Sequence, residues 1–230
     1  MRLTILCLAL ASLLLAGCGQ SGGGTVSTGG SASQSGAAGS NDDGTAGSGA
    51  ATLNAAGIVS IESGVATLGP ENTLIQFVGT HVGDKPDPRT CNFQKFSGTA
   101  QLDTDGTTLN SVSVEIETNS LATFHPDLTR HLNSPDFFDT KEYPKATFQS
   151  TSIGPPDADG KVHITGDLTL LEETREIAFA ATVRVGDQGL YLVAEFDIDR
   201  TEFGMDRLQE RVENIVGMTV IIGQKTELPK

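Results

Sequence analysis

Residues 111–118 read Ser-Val-Ser-Val-Glu-Ile-Glu-Thr. Val112, Val114 and Ile116 fall on one side of an extended chain, and Ser113, Glu115 and Glu117 on the other. Strand side chains alternate between faces, so the stretch reads as a half-buried β-strand with an apolar inner side. The alternation returns at Leu190–Arg200, where Leu192, Ala194, Phe196 and Ile198 interleave with Val193, Glu195 and Asp197. Working outward, it extends to Thr73–Thr80, Phe93–Asp103, Ala146–Ile153, Lys161–Leu171, Glu176–Val185 and Ile215–Gln224. Asp105-Gly106, Asp159-Gly160 and Asp187-Gln188-Gly189 supply turns between the runs. Asp103-x-Asp105-Gly and Asp157-x-Asp159-Gly look like calcium loops in composition. Neither has the Glu or the glycine spacing of an EF-hand, so both read as hairpin turns.

One stretch does not alternate. His125 to Phe138 reads HPDLTRHLNSPDFF, with Leu128 and Leu132 at i, i+4, which predicts a short helix stopped before Pro135. The expected fold is all-β: an eight-stranded antiparallel sheet closed into a barrel, with this helical insertion. Closure removes exposed edges, and eight strands leave an interior that is either filled or able to hold one small apolar ligand.

Towards the N-terminus the pattern changes. In MRLTILCLALASLLLAGC, Arg2 precedes an apolar run from Leu3 to Ala16, the form of a signal peptide over residues 1–17. Leu15-Ala16-Gly17-Cys18 resembles the bacterial lipobox, which implies lipidation, palmitate included, at Cys18; an ordinary secretory signal is the alternative. Cys7 lies within the signal and leaves with it. Gly19 rather than Asp follows the cysteine, which leans the expected location to the outer membrane, facing the periplasm of the cell envelope. Residues 18–55 are Gly, Ser, Ala and Thr with little else, and cannot bury enough apolar surface to offset ordering. They read as a disordered tether spanning roughly 30–35 Å. The Gly19-Gln20-Ser21-Gly22-Gly23 match to G-x-S-x-G falls in this low-complexity stretch and carries no nucleophile reading.

Composition removes several function classes. Fifteen Lys and Arg stand against 29 Asp and Glu, a net charge of −14, which argues against nucleic acid and against a polybasic lipid patch. Without Trp and with two Tyr, an aromatic cage is not expected. The domain at 56–230 retains one cysteine, Cys91, in a charged, proline-containing loop, and this reads as a structural thiol, with a dimer link left open. The oligomeric state is not legible. His81, His125, His131 and His163 show no metal-ligand spacing, and no activated nucleophile is visible, so neither catalysis nor a cofactor is expected.

Particular residues carry a resemblance. His131-Leu132-Asn133-Ser134-Pro135-Asp136-Phe137-Phe138-Asp139, followed by Tyr143-Pro144-Lys145-Ala146-Thr147-Phe148, resembles the hallmark segment of the YceI-like polyisoprenoid-binding proteins. Thr73-x-Ile75-x-Phe77-x-Gly79-x-His81, Phe93-x-x-Phe96-Ser97-Gly98, Gly166-Asp167-Leu168-Thr169 with Thr174-Arg175, and Arg200-Thr201-Glu202-Phe203-Gly204-Met205 follow in family order. The resemblance implies a lipocalin-like barrel with an apolar tunnel for a polyisoprenoid or similar amphiphile. Three positions depart from it: Glu172-Glu173 in the central hairpin, the insertion Val82–Thr90, and Gly79 where an inward apolar residue is usual.

The expected ligand-binding residues follow the inward faces. They are Ile75 and Phe77; Phe93 and Phe96; Val112, Val114 and Ile116; Phe148; Leu168 and Leu170; Phe179; Phe196; and Phe203. His81 is the candidate headgroup contact, and His131 is expected to hold the insertion against the barrel. The functional expectation is a lipid-anchored carrier or scavenger of an isoprenoid lipid. Its alternative is a closed structural or stress-related envelope module filled by its own side chains.

Overall fold

The computed structural model describes residues 59–83, 85–187 and 189–223. These all fall in the second of two units of the chain, residues 47–230. Cys18, the signal segment and the tether lie outside the described residues.

Among the described residues the domain is a single curled antiparallel sheet with one short helix. In chain order its strands are β1 (Ile61–Glu62), β2 (Val65–Leu68), β3 (Thr73–His81), β4 (Asp87–Phe93), β5 (Phe96–Leu102) and β6 (Leu109–Glu117). There follow β7 (Leu121–Thr123), α1 (Pro126–Leu132), β8 (Lys145–Pro156), β9 (Lys161–Leu170), β10 (Glu173–Gly186), β11 (Gly189–Asp199) and β12 (Ile215–Ile222). Neighbours in the sheet run β1-β2-β5-β6-β8-β9-β10-β11-β12-β3-β4-β7.

Among the described residues, twelve strands replace the expected eight. The eight alternating stretches are β3, β5, β6, β8, β9, β10, β11 and β12. The four additions are short or unusual in composition. β1 and β2 form a hairpin over Ser63 and Gly64, both at positive φ. β4 occupies the proline-containing segment that reads as a loop, so Cys91 lies on a strand. Its partner β7 pairs only with Cys91–Phe93, which leaves the Pro88 region on an open edge where proline is tolerated. Only Gln94 and Lys95 separate β4 from β5, and a 3₁₀ turn at Thr118–Ser120 separates β6 from β7. β4 pairs with β3 and β7, whereas β5 pairs with β6 and β2, so each of these two strand pairs bends from one part of the sheet into another.

Alternation decides what is buried. Ile75 and Phe77 on β3, and Leu192, Ala194 and Ile198 on β11, turn inward. Gly166 on β9 lies where a Cβ would come within 2.6 Å of both the Phe148 ring and the Gln149 carbonyl oxygen, so glycine lets β8 and β9 pack there. The interior holds two apolar clusters. One gathers Phe77, Phe93, Phe137, Phe138 and Phe203 under α1, and the other gathers Val59, Leu68, Leu109, Ile164 and Leu190 at the opposite end. Among the described residues no helix is long and apolar enough to cross a membrane.

Candidate ligand cavity

The α1 end of the sheet does not fill. A cavity of about 310 Å³ lies between β3, β4, β9, β12, the insertion that carries α1, and the segment 200–212. A second, inner chamber of about 90 Å³ adjoins it, among β3, β6, β8, β9, β10, β11 and β12. The larger volume falls at the lower end of those that enclose small-molecule ligands.

Most candidate lining residues border one chamber or the other. Phe77, Phe93 and Leu170 border the outer chamber, and Val112, Val114, Phe148, Phe179 and Phe196 the inner. Ile75, Ile116 and Leu168 border both. Phe96 and Phe203 are placed differently: both are buried in the packed core and touch neither chamber. Phe203 sits in a 3₁₀ turn (Arg200–Phe203), where strand parity says nothing about direction.

Two aromatic groups shape the walls. Phe77, Phe93 and Phe138 form a trio with ring centroids 5.7–5.8 Å apart, joining β3, β4 and the insertion. Phe179 and Phe196 stack at 4.3 Å and 9° beside the inner chamber. Gly79 follows Ile75 and Phe77 on the inner face of β3, borders the outer chamber, and has nothing within 4 Å of where a Cβ would be. The departure from the family pattern at Gly79 therefore leaves open space in the cavity wall.

The rim is polar. Exposed His81 and Arg211 and half-buried Arg89 border the outer chamber, and among the described residues no carboxylate does. Arg89 pairs with Asp87 and donates to His125 Nε2 at 2.8 Å. His131 stacks edge-on against Phe137 at 5.1 Å and contacts Asp136 at 3.3 Å, tying the helix to the turn that follows it. Arg200 is buried and held by its surroundings. Its Nε donates to the Glu213 carbonyl, Nη1 to the carbonyls of Met205 and Arg207, and Nη2 to the Val212 carbonyl and Asn214 Oδ1. Burial draws its pKa down, and Asp199 and Asp206 oppose that.

Cys91, on β4, faces the outer chamber as a free thiol, and burial pushes its pKa up to about 12. Such a thiol is a small hydrophobe rather than a nucleophile. No group of three or more His, Cys, Asp or Glu gathers as a metal site among the described residues. Leu132, Phe137 and Phe138 of the insertion, and Met205, Leu208 and Val212 of the 200–214 segment, complete the wall. Sequence periodicity passes over these because they lie outside regular strands. The site is thus a largely apolar compartment with a polar rim.

The sequence profile described as the YceI-like domain matches residues 67–228. The Protein YceI of Escherichia coli O157:H7 is 42% identical over 89 residues, 39% of this chain and 46% of that protein. A UPF0312 protein of Pseudomonas putida strain F1 is 37% identical over 90 residues, again 46% of its length, so the matched part spans less than half of these relatives. Among solved structures, BcnA of Burkholderia cenocepacia superposes with a TM-score of 0.57 at 22% identity, covering 66% of this chain and 96% of BcnA. A domain of Saccharophagus degradans described as polyisoprenoid-binding gives a TM-score of 0.51 at 12% identity, covering 71% of this chain and all of that one.

Proposed function

Because the chain belongs to the YceI-like domain family, we propose that it is a membrane-anchored protein that binds a polyisoprenoid or similar amphiphile as a carrier or scavenger. The observation that carries this reading is the outer cavity of about 310 Å³, whose wall is mostly apolar and whose rim is polar. An amphiphile has the matching division: the chain gains by leaving water, and the head stays at the rim. The Saccharophagus degradans domain, of similar fold and described as polyisoprenoid-binding, agrees with this choice of ligand. In this reading the twelve-stranded curled sheet wraps around the bound chain. Cys18 carries the lipid anchor, and residues 18–55 give the domain reach to the bilayer from the periplasmic side of the outer membrane.

The test is a fluorescent prenyl analogue titrated into delipidated wild type and into Gly79→Leu, with native mass spectrometry of protein extracted from its own membrane. A side chain at position 79 enters open space, so the variant folds with wild-type stability and loses at least about tenfold in affinity. Wild type that carries no lipid and binds no analogue would instead support the closed structural module. For the anchor, Cys18→Ala should shift the protein from the detergent phase to the aqueous phase; identical partitioning overturns it.

A further inference from the structure

The two chambers meet at four side chains, Ile75, Ile116, Leu168 and Met218, the residues that border both. Two of these are β-branched and stiff at χ1. Met218 is unbranched, with a string of rotatable bonds and a soft thioether that adapts to irregular space. Its ladder partners mark its place. On β3 it faces Phe77, which borders only the outer chamber, and on β11 it faces Phe196, which borders only the inner. The inner chamber, walled by apolar side chains except at Thr73, offers a chain about 90 Å³ of additional room.

We propose that Met218 sets the length of the chain this cavity accepts. In place, its side chain closes the waist and the bound chain ends in the outer chamber. Swung aside, it joins the chambers and lets a longer chain reach the Phe179–Phe196 stack. The proposal rests on the amphiphile-binding reading and adds the residue that decides which homologues bind.

The experiment measures affinities of the full chain for a graded series of prenyl alcohols differing by one isoprene unit. Met218→Ala should move the preference to the next longer member and raise its affinity about tenfold relative to the shorter one. Met218→Val should move it the same way by less, and it guards against an alanine variant that folds poorly. Met218→Leu, of conserved volume, should keep the wild-type profile. Met205→Ala, in the outer wall only, should weaken all members alike. A Met218→Ala or Met218→Val profile that stays put, or changes every length by one factor, overturns the proposal while leaving binding intact. Wild type that binds no member overturns the binding reading, and this proposal with it.

Discussion

At the scale of single residues, two positions run against the habits of their type. Cys91 points at a cavity yet is chemically quiet, because burial raises its thiol pKa to about 12. Thiolate is the reactive form, so alkylation of Cys91 near pH 8 should be at least about a hundredfold slower in native protein than in urea. Peptide mass mapping of the labelled site reads this directly, and equal rates would place the thiol in water. The β9–β10 hairpin turns on Leu171 and Glu172, at φ 49° and 65°. A two-residue turn of this kind asks for Asn-Gly, since a Cβ is strained in the left-handed region. Leu171 packs against the core and is held there, while Glu172 is exposed. Glu172→Gly should therefore stabilise the domain by about 0.5–1 kcal/mol, seen as a higher urea midpoint at unchanged slope.

At the scale of elements, side chains inside the turns and loops do much of the holding. Asp103 Oδ1 accepts the backbone N–H groups of Thr107 and Thr108 at 3.0 and 3.2 Å, and Asp157 Oδ1 those of Asp159 and Lys161, both at 2.9 Å. These bonds hold both carboxyls below the usual Asp range. A lowered folded pKa adds stability that is present above the ordinary carboxyl range and is lost as pH falls through the folded value. The melting temperature of Asp103→Asn/Asp157→Asn should thus fall less steeply below about pH 4 than that of wild type, and equal slopes would count against these two caps. Arg200 does the corresponding work for the segment up to Asn214. Arg200→Ala strands four backbone carbonyls and the Asn214 side chain, and should cost about 3 kcal/mol or more, with early proteolysis within residues 204–213. Legibility divides along the same line. Val112 and Ile116, or Phe77 and Ile75, show their direction in sequence because a strand has period two. β4 was hidden by Pro88 and its charges, and β7 by having only three residues. Phe137, Phe138 and Met205 reach the cavity from non-strand segments, where only tertiary packing sets direction, and Phe203 was misplaced for the same reason.

At the scale of the whole molecule, an apolar hollow is a missing part of the core, so its occupant belongs in the stability of the fold. Wall atoms facing empty space lack dispersion partners that a bound chain would supply. A ligand that binds only the folded state adds about 2.7 kcal/mol when present at one hundred times its dissociation constant. Delipidated protein should therefore melt below protein loaded with an uncharged prenyl alcohol. The gap should persist in high salt, because an uncharged chain binds by apolar burial rather than by charge pairing. Gly79→Leu, with its weaker binding, should narrow the gap by about half or more at the same ligand concentration, while leaving the delipidated melting temperature unchanged. Phe77→Ala separates a hollow from a filled core. Truncating a tightly packed phenylalanine costs about 3–5 kcal/mol, much of it from the cavity left behind. The Phe77 ring already borders open space on one side, although Phe93 and Phe138 hold the other. Its loss from delipidated protein should cost about 3 kcal/mol or less, and the cost should rise when wild type is loaded with ligand. A cost near 5 kcal/mol that ligand does not change would mean that Phe77 belongs to a sealed core, and the carrier reading would fail with it.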